Sequence, residues 1–566
     1  MSPSRAAPAL VAALLGPLLF FLLYDARLLD PSYFRWLFWQ PDPATQFLGW
    51  HSFRLEPWHL PPGAATNYGM DMGSSIVFTD SIPLLALLFK VLRAALPDHF
   101  QYFGLWMLAC YTLQAVFAWL LSGQATRLVA PRLIITALFV LSPLLPDRAI
   151  GHYALMAHWL VLAALYLYLR APQRLATTSW CLLLCGAALI HAYLLYMVLA
   201  VAFAAAARRR WIDRTATTRD TMRSTLLIGA ALLATMWLAG YFTIPTAAFS
   251  GGSEYYGRYA ANLNSLWNPQ WGSRFLPGLP LIAGSEFEGY GYLGAGVLAM
   301  LPIAAFALWR KPPGRAVRRY LPLAAVALLL WAIALSNQVG WNDRVLFSVP
   351  LPDRVLELVA MVRASGRLLW VGYYALLLAI PTIIVRNLPA PAATGVLALG
   401  IGLQIADLSP RYVALNDYFR QHFIVEPALR SDPLPSHFWA VAAQHYKSIL
   451  FVPSLPVPPD FSAIALLAVD HGMRINVGSF ARLALARVAS ATAKREQALT
   501  AGRLDPEALY VLRPPDVVPF RAGPDDSIGS VDGFLVLAPR WFAFDDCCGV
   551  TMPALARAAA ASPTRP

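Results

Sequence analysis

Long apolar runs alternate with short polar breaks along this chain, and the length of each run decides what it can form. A helix needs roughly 20 apolar residues to cross a bilayer. Residues 7–24 supply a first span and 100–122 a second. Residues 133–145 rise to a sharp tip at Ser142-Pro143-Leu144-Leu145-Pro146-Asp147-Arg148, and 150–169 descend from it. The run 176–207 is too long for one span and too short for two full ones, and arginines flank both of its ends. It therefore reads as a hairpin of two short helices with His191 near the tip. Further helices are expected over 224–246, 291–309, 321–335, 366–386 and 390–408. Residues 80–96 are apolar but short, and Lys90 and Arg93 interrupt them. That suits a helix lying along the interface, with a true span as the alternative. Taken as interfacial, it leaves about eleven spans.

After Pro410 the pattern changes. Strand-like runs (448–453, 473–477, 508–512, 533–538) alternate with helical ones (437–446, 461–471, 480–499), which predicts a small α/β domain. No glycine-rich phosphate loop accompanies it. The expected fold class is mainly α: a polytopic membrane helical bundle over 1–410 with a large first outer loop at 25–79. An α/β domain over 411–553 and a disordered tail over 554–566 complete the chain.

Composition supports the membrane reading. Of 566 residues, 58% are hydrophobic and only 13% charged, with a mean hydropathy of +0.53; a soluble chain carries about a quarter charged residues. The net charge of +13 would suit nucleic acid, but the arginines sit in short clusters between apolar runs and read as topology signals. Nucleic acid is therefore not an expected partner. Residues 208–223, RRRWIDRTATTRDTMR, are the strongest cytoplasmic marker, seconded by the basic residues of 310–319. With those loops inside, 25–79 and 411–566 lie outside. Lysine occurs only at 90, 311, 447 and 494, a bias we assign to genome composition. Among the cysteines, Cys110, Cys181 and Cys185 lie in apolar runs and Cys547 and Cys548 are adjacent, so no disulfide framework or metal spacing is visible. The first apolar run lacks a small-residue cleavage site and reads as an uncleaved helix.

The first loop holds acids (Asp42, Glu56, Asp71, Asp80) among tryptophans (Trp39, Trp50, Trp58), as an ordered loop at a membrane surface would. Six stretches carry a resemblance: PDPATQFLGW (41–50), NYGMDMGSSIVFTDSIPL (67–84), FQYFGLW (100–106), GHYALMAHWL (151–160), EGYGYLG (288–294) and RASGRLLW (363–370). They resemble a family of bacterial polytopic membrane proteins built like GT-C glycosyltransferases. The resemblance implies a GT-C-like bundle in the bacterial cytoplasmic membrane with its C-terminal domain extracytoplasmic. It also implies transfer of a sugar from a polyprenyl-phosphate-linked donor to an envelope glycan or lipid acceptor. A lipid or polysaccharide transporter, or a non-catalytic partner in envelope glycan assembly, is the alternative. Transporters usually carry internal repeats and broken helices with polar groups at mid-membrane, and no convincing repeat is visible here.

Each candidate residue has a chemical and a structural reading. Asp42, stiffened by Pro41 and Pro43, is by the resemblance the general base that takes the acceptor's proton; otherwise it is a turn or helix-terminus acid. Asp147 and Arg148, followed by His152, by the resemblance bind a metal or the acceptor, or else simply form a polar helix–helix turn. The resemblance also allows a divalent metal, magnesium or manganese, on Asp42 and Asp147. His191 is an ionisable group in an apolar run and hence a site candidate, or a neutral hydrogen-bonded histidine. Arg363 and Arg367, four apart, are expected on one helix face, gripping a lipid-linked phosphate bidentately or anchoring to headgroups. Glu288, with Glu286 and Tyr290, contacts sugar hydroxyls or caps a helix. Asp71 and Asp80 rival Asp42, and Asp80 is placed to cap the helix that follows it.

Overall fold

The computed structural model describes residues 3–72, 74–170, 176–244, 256–282, 286–359, 362–425, 434–513, 519–544 and 556–557. The first apolar run forms α1 (Pro3–Leu23). The loop after it, expected as an ordered loop, contains a helix, α2 (Pro41–Leu55), with Pro41 and Asp42 in its first turn. Proline is at home there because its missing N–H has no helical partner, and an acid suits the positive end of the helix dipole. Residues Pro43 to Arg54 of α2 are all buried. The next apolar run gives α3 (Pro83–Val91), nine residues and too short to cross a bilayer. Its exposed Leu84, Leu88 and Val91 make an apolar stripe. Lys90 is buried with its ammonium over the rings of Phe53 and Trp58.

The membrane part continues with α4 (Phe103–Ala125), α5 (Val129–Val140), α6 (Leu144–Arg148), α7 (Trp159–Leu169), α8 (Thr177–Ala188), α9 (Ala192–Ala207) and α10 (Thr218–Ala239). The run 176–207 is indeed two helices: α8 and α9 pack together, and His191 is the N-cap of α9. After α11 (Ala295–Arg310) and α12 (Leu321–Ala334) comes an antiparallel hairpin, β1 (Gln338–Trp341) and β2 (Arg344–Ser348), in a loop that showed no strand signal. Then follow α13 (Asp353–Val359), α14 (Trp370–Asn387) and α15 (Ala390–Arg420). Among the described residues, seven helices are long and apolar enough to cross a membrane, which marks a membrane protein. Four shorter apolar helices, Ala7–Leu23, Tyr153–Leu169, Thr177–Ala188 and Ala295–Arg310, fall at the other expected positions.

Two boundaries differ from expectation. First, α15 runs through Pro410 to Arg420 and ends in a π turn, Gln421–Val425. The apolar run does stop near 408, but the helix continues because its polar face is satisfied in the interior. Gln404, Asp407 and Arg411 share that face and are all buried. Second, the chain packs into two compact units: residues 1–30, 102–235 and 251–424, and residues 31–101, 236–250 and 425–566. The first loop, assigned by chain order to the membrane part, belongs to the unit of the C-terminal domain. Hydropathy along a chain reports what a segment is made of, not what it packs against.

In that second unit, α16 (His437–His445), β3 (Ser448–Val452), α17 (Phe461–Asp470), β4 (Arg474–Ile475), α18 (Leu485–Thr500), β5 (Ala508–Leu512), β6 (Ser527–Val531), β7 (Phe534–Ala538) and β8 (Ala556–Arg557) form the α/β domain. The sheet order is β4-β3-β5-β7-β6-β8. β3 is parallel to β4 and β5, and the remaining pairs are antiparallel. Tyr68 of the first loop extends the β4 edge: Gly69 N–H donates to Ile475 O and Ile475 N–H to Asn67 O, each at 2.9 Å. Leu450, Val452, Tyr510, Leu512 and Leu537 form the core over one sheet face. β6, SIGSV, was missed because its polar residues hide it from a hydropathy reading. Apart from Ala556 and Arg557, the tail from 554 lies outside the described residues.

In the first unit, α1 lies so close along α4 that a Cβ on Gly16 would sit 2.1 Å from the Tyr111 carbonyl oxygen. Small residues allow such approach between membrane helices. Gly16→Val is expected to force the helices apart, cost about 1–3 kcal/mol and lower the thermal midpoint in detergent. An unchanged midpoint would contradict this packing.

Candidate functional site

Glu288 is the centre of the polar interior of the first unit. It lies in a 3-10 turn, Glu286–Gly289, and Arg367 in another, Ser365–Leu369. The two turns meet closely: a Cβ on Gly366 would lie 2.7 Å from Gly289 Cα. This contact sets the two side chains face to face. Arg367 Nε donates to Glu288 Oε2 at 2.7 Å, and Arg367 Nη2 donates to Oε1. Arg148, at the end of α6, donates from Nη1 to Oε2 at 2.6 Å. His152 Nε2 lies 3.6 Å from Oε1. Glu288, Arg148 and Arg367 are all buried. Burial alone would raise the Glu288 pKa, but Arg367 and Arg148 outweigh it and hold the carboxyl well below its usual range. Burial, reinforced by Arg367, pushes the His152 imidazole down to about 3, so it is uncharged at neutral pH.

Arg363, which is exposed, also contributes to the field at His152. Nearby, Tyr193 of α9 accepts from the Ala364 N–H at 2.8 Å, and the Arg367 guanidinium lies 5.0 Å from the Tyr193 ring centre. His191 caps α9, its Nδ1 accepting from Tyr193 N–H at 3.1 Å. Six of the eight residues singled out in the sequence are thus gathered here: Arg148, His152, His191, Glu288, Arg363 and Arg367. Their roles are partly different from those expected. Arg363 and Arg367 do not share an α-helical face, because Arg363 lies in a bend before the 3-10 turn. Arg367 is occupied by Glu288, which leaves Arg363 as the exposed cation of the two. Glu288 is an ion-pair centre and not a helix cap.

Asp147 points into a second buried pair. Arg411 donates from Nη2 to Asp147 Oδ2 at 2.5 Å and from Nε to Oδ1 at 3.3 Å. The Arg411 guanidinium also lies 4.0 Å from the Trp271 ring and 4.3 Å from the Tyr290 ring. With both oxygens engaged by one guanidinium, Asp147 does not fit the role of a metal ligand. Arg411 went unnoticed in the sequence, although Gln404, Asp407 and Arg411, at successive steps of three and four, repeat on one helix face. One turn earlier, Asp407 accepts from Tyr292 OH at 2.7 Å and from Ala295 N–H at 2.9 Å, and so caps α11.

Asp42, in the second unit, is exposed in the first turn of α2. The other acids of the first loop fare differently. Glu56 is buried and accepts from Thr66 N–H at 3.0 Å and Asn67 N–H at 3.2 Å, a structural role. The helix expected to be capped by Asp80 instead begins at Pro83 with no side-chain cap. The Asp71 and Glu286 side chains lie outside the described residues. The second unit also holds a constellation that sequence reading missed. His51, on α2, and His99 both turn Nε2 toward Asp470, the last residue of α17.

Residues 13–409 match the family described as a domain of unknown function, DUF6311, and residues 438–539 match the DUF6311 C-terminal domain. The chain belongs to the DUF6311 family. No curated protein matches it. The DUF6311 region contains both buried ion clusters up to Asp407, while Arg411 lies just beyond its matched end.

The Glu288 cluster gives a stability prediction. Glu288→Gln leaves two buried guanidiniums without their counter-charge and should cost about 3–5 kcal/mol, read as a lower thermal midpoint. Arg148→Met added to it should recover part of the loss; no recovery would mean that the two side chains are not coupled. Because the folded Glu288 pKa lies below its ordinary value of about 4.3, its contribution is complete at neutral pH. It should fade only as pH falls below about 4.

Proposed function

We propose that the protein is an integral-membrane glycosyltransferase of the GT-C type. It moves a sugar from a polyprenyl-phosphate-linked donor to an envelope glycan or lipid acceptor at the outer face of the cytoplasmic membrane. The observation that carries this reading is the net positive charge of the Glu288 cluster. Two guanidiniums, Arg148 and Arg367, face one carboxylate, and the exposed Arg363 adds a further cation beside them. Ionisable groups within an apolar bundle mark functional sites, and an excess of arginine suits a phosphate.

In this reading the buried trio is the fixed platform and Arg363 is the group that meets the lipid phosphate. Arg148 and Arg367, neutralised in part by Glu288, add long-range attraction without needing to move. Asp42 is the general base: it takes the proton of the acceptor hydroxyl as that oxygen attacks the anomeric carbon. The bond from that carbon to the phosphate oxygen breaks, and polyprenyl phosphate departs with the electron pair. No metal enters this scheme, because Asp147, its expected ligand, is engaged by Arg411. The reading keeps eleven spans, cytoplasmic loops at 208–223 and 310–320, and an extracytoplasmic C-terminal domain.

Asp42→Asn preserves shape but removes the basic oxygen, so transfer should fall by about 10²–10⁴-fold while donor binding persists. Arg363→Ala should instead weaken donor binding, with Lys a poor substitute because it lacks the planar fork. Near-normal turnover in Asp42→Asn would contradict its role and favour a transporter or a non-catalytic partner.

Topology is tested separately, in a chain whose native cysteines are replaced. An impermeant thiol reagent applied outside should label Ala501→Cys and miss Thr215→Cys, both exposed positions. The reverse pattern would invert the orientation and overturn the outer-face site.

A further inference from the structure

We propose that His51, His99 and Asp470 form a binding site for a divalent transition metal, zinc by its donor set, within the second unit. The three ligand atoms lie within 4.8 Å of one another. His51 Nε2 is 2.7 Å from Asp470 Oδ1, and His99 Nε2 is 3.1 Å from Oδ1 and 3.2 Å from Oδ2. Zinc bonds of about 2.0 Å in tetrahedral geometry separate neighbouring ligand atoms by roughly 3.3 Å. Small side-chain shifts therefore convert the observed triangle into a coordination sphere. Two imidazoles and one carboxylate are a donor set that zinc accepts, whereas magnesium prefers oxygen alone.

The rings are held in place before any ion arrives. His99 stacks on Phe34 at 4.5 Å, Phe34 on Phe47 at 4.9 Å, and Phe47 on His51 at 5.4 Å, with interplanar angles of 10°, 15° and 19°. Phe47 and His51 are one turn apart on α2, so the helix itself sets that last contact. This four-ring stack fixes both imidazoles with their Nε2 atoms toward one carboxylate. The carboxylate, in turn, stands at the C-terminal end of α17, where the helix dipole disfavours a negative charge. A dication there would offset both the dipole and the carboxylate.

The site is closed on one side and open on the other. The His51 side chain is 2% exposed, His99 36% and Asp470 30%, which gives an ion a way in and leaves room for water as a further ligand. Among the described residues, none hydrogen-bonds the buried His51 Nδ1. A metal-bound histidine usually has an outer partner at that atom, worth about 10–100-fold in affinity, so binding should be weaker by about that factor than at a site that has one. His51 and His99 are 419 and 371 residues from Asp470 in sequence. An ion here would cross-link the first loop to the C-terminal domain and restrict the unfolded chain as a staple does.

The test uses the full-length protein in detergent, stripped with a chelator and titrated with zinc chloride against a chromophoric zinc indicator. One zinc per chain is expected, with a rise in thermal midpoint and no displacement by excess magnesium. Asp470→Asn keeps shape and a hydrogen-bond acceptor, and His99→Ala removes a partly exposed ring; circular dichroism verifies that both variants fold. Each should weaken binding by more than about 100-fold and abolish the zinc-dependent rise in midpoint. A folded wild-type protein that binds no zinc would overturn the proposal. Stoichiometric binding that both variants retain would do the same, by moving the ion elsewhere.

Discussion

A buried carboxylate flanked by two buried guanidiniums is the constraint around which the first unit is built. Removing such charges from water costs several kcal/mol each, and only close, well-directed pairing offsets it. Glu288 achieves that by accepting from Arg148 and Arg367 together. The geometry makes demands on three distant segments at once: the end of α6, the 3-10 turn at Glu286–Gly289 and the turn that leads into α14. Gly366 is needed at the crossing because a side chain there would meet the Gly289 backbone, while one on Gly289 would meet the backbone of Ala260 and Ala261. Aromatic faces complete the enclosure, with Tyr193 against Arg367 and Trp370 within 5.6 Å of Arg148.

Asp147 and Arg411 repeat the device next door, since Asp147 and Arg148 are consecutive. One short helix thus contributes an acid to one buried pair and a base to the other. α15 contributes Arg411 to that pair and Asp407 to the start of α11. Polar groups that look costly in an apolar helix are, in this arrangement, its attachment points to its neighbours. They also explain why α15 continues beyond the apolar run that announces it.

Much of this was legible in the sequence, but unevenly. Run lengths located the apolar helices, including the break at His191, because bilayer thickness ties length to function. Strands β3, β5 and β7 were readable as apolar runs, while the polar β6 and the short β1–β2 hairpin were not. Arg148, His152, Glu288, Arg363 and Arg367 stood out as charges beside apolar stretches, and the structure gathers them. Their division of labour was not readable: nothing in a four-residue spacing tells that Arg367 is captured by Glu288 while Arg363 stays exposed. Arg411 was lost with the helix end placed too early. His51, His99 and Asp470 carry no local signal at all, since their nearness arises only when the first loop packs with the C-terminal domain.

We propose that the positively charged Glu288 cluster serves a lipid-linked sugar phosphate. It is tested most directly by reconstituting the purified wild-type protein in liposomes with a panel of labelled polyprenyl-phosphate sugars and bacterial envelope lipid and glycan as acceptors. At least one donor is expected to release polyprenyl phosphate, with its label recovered in a glycosidic bond to an acceptor. Intact donors across the whole panel, with the protein folded and its orientation verified, would contradict it.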